Sequence, residues 1–142
     1  MTQSLLPVYH AGMSRTQNRV RVLVVDDNAD LVTSTAELLE LAGYSAIRAR
    51  SAREAVDALD DEAGRIDLVL SEIRMPDVDG FDLLRVLRHR FPSLPIILMS
   101  GLPVTSEDVV PTGATILTKP FGAEQLEEAI KRKLQSRARK PV

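Results

Sequence analysis

Five polar residues stand at the downstream ends of hydrophobic runs. Asp26 and Asp27 follow VRVLVV, Glu72 follows IDLVLS, Ser100 follows PIILM and Lys119 follows ATILT. Three carboxylates, a hydroxyl and an amine brought to one place could hold a hard cation and a phosphoryl group. Mg²⁺ suits such a site, because it keeps several waters and needs only one or two carboxylates. Neighbouring side chains at a strand end point in opposite directions. One of Asp26 and Asp27 would therefore meet a cation directly and the other through water.

Each signal has a plainer account. Adjacent aspartates after a strand often start a loop and cap the next helix, although Asn28 and Asp30 can already supply that cap. An acid such as Glu72 can simply sit exposed beside a loop, and Ser100 can cap a helix. The stretch SEIRMPDVDGF is more specific: Met75-Pro76 ends a strand, and Asp77 to Gly80 form a turn with Gly80 expected at positive φ. Lysine seldom ends a buried strand without an anionic partner. Pro120 after Lys119 fixes the chain, and a cis bond there would aim the amine inward. The signals gain their weight from occurring together, each at a strand end.

The elements that must position these residues alternate along the chain. Strands are expected at Val20–Val25, Tyr44–Ala49, Ile66–Ser71, Pro95–Met99 and Ala114–Thr118. Between them, Leu31, Thr35, Leu38, Leu39 and Ala42 repeat at helical spacing, with Gly43 as the stop. A second helix runs from a Ser51–Glu54 capping box to about Glu62. A third, Phe81–Phe91, carries Leu83, Leu84, Leu87 and Phe91 inward, and the last, Glu124–Gln135, carries Leu126, Ala129, Ile130 and Leu134. Strands alternating with helices predict a parallel sheet covered on both faces, with ligands at the carboxyl ends of its strands. Residues 1–18 read as a flexible lead-in, 19–136 as one domain and 137–142 as a basic tail.

Composition narrows the function classes. With 44% hydrophobic and 27% charged residues the chain has ordinary globular composition, and its net charge of −2 gives no support to a nucleic-acid surface. Cysteine is absent, which rules out disulfides and thiolate metal sites. No apolar run approaches the ~18 residues of a membrane helix, and the first residues do not read as a secretory signal. A cytoplasmic protein without membrane association is expected.

The segments VLVVDDN (22–28), DLVLSEIRMPDVDG (67–80), MSG (99–101) and TKPF (118–121) resemble the response-regulator receiver domain of two-component signalling, over roughly residues 19–136. The resemblance implies a flavodoxin-like, doubly wound five-stranded parallel sheet of order 2-1-3-4-5. It implies Mg²⁺ held by Asp26, Asp27 and Glu72, aided by the main-chain carbonyl of Arg74. Ser100 takes the switch hydroxyl role and Lys119 pairs with phosphate. An aspartate at the position of Glu72 would accept a phosphoryl group from a sensor histidine kinase or phosphotransfer protein, which would touch the first helix near Ala29–Val32 and the loop after Lys119. Output would then pass to a separate partner through residues 102–112, Ile116 and the last helix. A stand-alone receiver that is not an enzyme is the expectation.

Two departures qualify it. Glu72 replaces the acceptor aspartate, and its extra methylene moves the carboxylate into the space a phosphoryl group would fill, so phosphotransfer to it is expected to be negligible. The interval from Ser100 to Lys119 is a few residues shorter than the family's and contains Pro103 and Pro111, which predicts a shortened or irregular fourth helix. Glu72 is then expected to imitate the phosphorylated state in part. The alternative is a phosphorylation-independent pseudo-receiver that serves as an interaction module. A magnesium phosphohydrolase would need Asp-x-Asp on the first strand, and a flavin protein a phosphate-cradling loop after it; the sequence has neither.

Overall fold

The structure, a computed structural model, describes residues 19–62, 64–101 and 115–139, the last three by backbone alone. Its elements are β1 (Arg21–Val25), α1 (Ala29–Leu41), β2 (Ser45–Ala49), α2 (Ala52–Glu62), β3 (Leu68–Glu72), α3 (Gly80–Arg90), β4 (Ile96–Ser100), β5 (Thr115–Thr118) and α4 (Ala123–Arg139). The strands form one parallel sheet of order β2-β1-β3-β4-β5. This is the flavodoxin-like arrangement expected.

Apolar residues run continuously along the inner strands because both sheet faces are covered. In β1, Val22 and Val24 pack with Val32 and Leu39 of α1 and Leu126 and Ile130 of α4. Leu23 and Val25 point the other way, joining Ala55 and Leu59 of α2 and Leu83, Leu84 and Leu87 of α3. The same alternation divides Leu70 from Val69 in β3 and Ile97 from Leu98 in β4. Two cores, one on each face, thus fix the register of the strand ends that carry the polar residues.

Local chemistry sets the helix starts. The Asn28 side chain caps α1 by accepting from the amides of Asp30 and Leu31, both at 3.0 Å, so neither Asp26 nor Asp27 is needed there. Ser51 Oγ accepts from Glu54 N at 3.0 Å, while Glu54 reaches back to the amide of Arg50 at 2.9 Å, one residue outside the usual box partner. Gly43, at φ 99°, ends α1 as expected.

Several expectations shift. The buried face of α1 is Val32, Thr35, Ala36 and Leu39, whereas Leu31 is 42% exposed. Phe91 lies just beyond α3 as its C-cap, still packed against the core as expected, with the Arg90 guanidinium 5.2 Å from its ring centroid. Helix α4 continues to Arg139, three residues into the expected tail. The lead-in 1–18, the shortened fourth helix and the partner surface at 102–112 lie outside the described residues.

Candidate functional site

The carboxyl edge of the sheet gathers the strand-end residues as the sequence implied. Asp26 directly follows β1 and is 1% exposed; Glu72 ends β3 at 8% and Ser100 ends β4 at 3%. Lys119 follows β5, its backbone placed by donation from its amide to Ser100 O at 2.8 Å, and its bond to Pro120 is cis. Its Nζ donates to Glu72 Oε1 at 2.5 Å and Asp26 Oδ2 at 3.2 Å. Burial acts to lower the Lys119 pKa, but the Glu72 hydrogen bond and the Asp26 and Glu72 charges outweigh it and raise it above the usual lysine value. The amine is thereby favoured as a cation, clamped between two acids.

The remaining carboxylate oxygens are held by main-chain amides. Asp26 Oδ1 accepts from Asn28 N at 3.0 Å. Glu72 Oε2 accepts from Ile73 N at 3.0 Å and Arg74 N at 3.3 Å, so the glutamate folds back on the chain that follows it. Asp27 is half-buried, and the Arg50 guanidinium donates to its main-chain carbonyl at 3.0 Å.

Three features of the site escaped the sequence reading. Arg50 brings a second cation from the end of β2, the strand paired with β1, and strand-end position alone could have nominated it. Asp77 Oδ2 accepts from Ala52 N at 3.0 Å, which ties the loop after β3 to the start of α2. No local pattern announces that contact between distant loops. Gly80 is required for a different reason from the one expected, since it is absent from the positive-φ glycines among the described residues. Its amide donates to Ile73 O at 2.6 Å, and a Cβ there would lie 2.7 Å from both Glu72 O and Ile73 Cα. The first turn of α3 can press on the end of β3 only without a side chain.

Mg²⁺ is the group the resemblance implies, and the donor set meets it poorly. Among the described residues no three carboxylates or imidazoles group as metal donors. Asp26, Glu72 and Lys119 converge, but Asp26, Asp27 and Glu72 do not assemble as the expected set. The carboxylate oxygens of Asp26 and Glu72 face the Lys119 ammonium and main-chain N–H groups instead.

Comparison with known proteins places the chain in a family. The family described as "Response regulator receiver domain" matches residues 22–131. The C4-dicarboxylate transport transcriptional regulatory protein DctD of Rhizobium meliloti is 35% identical over 120 residues, 82% of this chain and 25% of that protein. The sensor kinase CckA of Brucella abortus is 33% identical over 80% of this chain and 12% of its own length. The chain thus spans a quarter or less of either relative. A solved response regulator receiver domain protein (CheY-like) from Methanospirillum hungatei superposes with a TM-score of 0.76 at 30% identity, over 85% of this chain and 98% of that one. The beryllofluoride-activated NtrC4 receiver domain aligns with a TM-score of 0.74 at 28% identity, over 82% and 98%. Among the described residues, no helix is long and apolar enough to cross a membrane.

Proposed function

The chain belongs to the response regulator receiver domain family, and on that premise we propose that it is a two-component signalling receiver in which Glu72 stands where the family's phosphate-accepting aspartate would. The observation that carries the reading is the pairing of Lys119 Nζ with both Glu72 and Asp26 at the carboxyl edge. In this reading the chain turns over no substrate. It presents a conformational state to a separate partner, and its upstream contacts are a sensor histidine kinase or phosphotransfer protein.

Glu72 gives Lys119 the anion that an acyl phosphate would give it, and so imitates that state in part. Full conversion of a two-state switch from 1:99 to 99:1 needs ~5.5 kcal/mol of differential interaction. A charge-assisted hydrogen bond contributes roughly 1.5–3 kcal/mol. The second Glu72 oxygen adds nothing towards Ser100's side of the site, because the amides of Ile73 and Arg74 hold it. The population is therefore tilted towards the active arrangement without being locked in it. That self-contained carboxylate is also the observation favouring the second reading, a pseudo-receiver that binds its partner regardless of phosphorylation.

Glu72→Asp treated with acetyl phosphate and Mg²⁺ separates the two. In a competent receiver the aspartate oxygen attacks phosphorus, the bond to acetate breaks, and the intact mass rises by one phosphoryl group. The unsubstituted chain gains none. No phosphoryl gain in Glu72→Asp contradicts the receiver reading and leaves the pseudo-receiver.

A further inference from the structure

We infer that this chain has exchanged divalent-cation binding at the carboxyl edge for an internal clasp closed by Lys119 on Glu72, an inference that rests on the receiver reading of that site. Three observations lead to it. The Lys119 ammonium bridges Asp26 Oδ2 and Glu72 Oε1, at 3.2 and 2.5 Å, so one protein cation already links the two most buried acids. Glu72 Oε2 is held by the Ile73 and Arg74 amides, so both oxygens of that carboxylate already accept from protein donors. A second protein cation, the Arg50 guanidinium, rests on the main-chain carbonyl of Asp27, the remaining acid.

The extra methylene of glutamate is the cause. The added methylene, roughly 1.5 Å of extra reach, brings one oxygen of this carboxylate closer to the Lys119 amine than Asp26 comes, while the other oxygen stays on the amides that follow it. For Mg²⁺ to enter, Glu72 must release either Lys119 or its main-chain donors. The ion would then stand beside an ammonium held in place by Asp26. Mg²⁺ also gives up its waters reluctantly and demands near-octahedral oxygen donors, and Asp27 with a shared Asp26 supplies only part of that shell. The site is consequently complete without a metal, and its geometry is fixed by side chains present at all times and insensitive to cellular Mg²⁺.

The test is direct metal binding, using MnCl₂ followed by water-proton relaxation and MgCl₂ followed by thermal unfolding, on the unsubstituted chain and on Glu72→Asp. The clasp predicts that Glu72→Asp binds either cation at least about tenfold more tightly, within the range seen when groups around a metal change, and that millimolar Mg²⁺ raises its unfolding temperature but not that of the unsubstituted chain. Equal affinity in the two proteins overturns the inference, because Glu72 then excludes nothing. Weak binding in both overturns it as well, since the cause would lie outside the clasp. Failure of the receiver reading shows differently: Glu72→Asp would bind Mg²⁺ yet accept no phosphoryl group from acetyl phosphate.

Discussion

Lys119 and Lys133 are both partly buried lysines at opposite edges of one sheet, and their chemistry runs in opposite directions. At the amino edge, Lys133 Nζ donates to Thr115 Oγ1 at 3.0 Å, and burial followed by the nearby Arg88 charge lowers its pKa. At the carboxyl edge burial pulls Lys119 the same way, yet Glu72 and Asp26 reverse it. Desolvation is common to both, so the sign is decided by what faces the amine. A lysine opposed by a hydroxyl and a cation is only tolerated. A lysine clamped by two buried acids at the carboxyl edge of a sheet marks a candidate site.

The strongest way to break the contrast is to remove each amine. Lys119→Met strands Asp26 and Glu72 in a buried setting and should cost about 3 kcal/mol in urea unfolding. Lys133→Met should change stability by under about 1 kcal/mol. Equal losses would mean that the carboxyl edge has no special electrostatic role. Gly80→Ala comes next, at about 1–3 kcal/mol in the same assay, because the new Cβ would meet the backbone of Glu72 and Ile73 at 2.7 Å. Asp77→Ala should cost about 1 kcal/mol through the lost cap on Ala52 N.

The smallest effect is a pH slope at the amino edge. Folded Lys133 releases its proton below the ordinary 10.5, so over that interval the unfolded chain binds more protons and stability rises with pH. The urea midpoint of the unsubstituted chain should therefore climb relative to that of Lys133→Met as pH approaches 10.5 from below. A difference between the two that stays level across this range would remove the contrast with Lys119.

Most of the architecture was legible because buried parallel strands write themselves as apolar runs and place their last residues on one edge. Asp26, Glu72, Ser100 and Lys119 could be assigned to that edge because each ends or directly follows a strand. The face of α1 was less so, since Leu31 and Val32 are adjacent apolar residues and only packing against β1 decides which one turns inward. Arg50 and Asp77 were missed because each acts on another loop, on Asp27 O and Ala52 N respectively, and such contacts exist only once the sheet order is fixed. The orientation of the Glu72 carboxylate depends on which amides lie free beside it, Ile73 and Arg74, and residue type does not carry that information.

The Lys119 ammonium is held between Asp26 and Glu72, and proton–nitrogen NMR of the lysine ammonium groups observes that state directly. Lys119 is expected to give a distinct, slowly exchanging signal that persists where the exposed Lys131 signal is lost, and to weaken in Glu72→Ala. A Lys119 ammonium exchanging as fast as that of Lys131, unaltered by the substitution, would contradict the account.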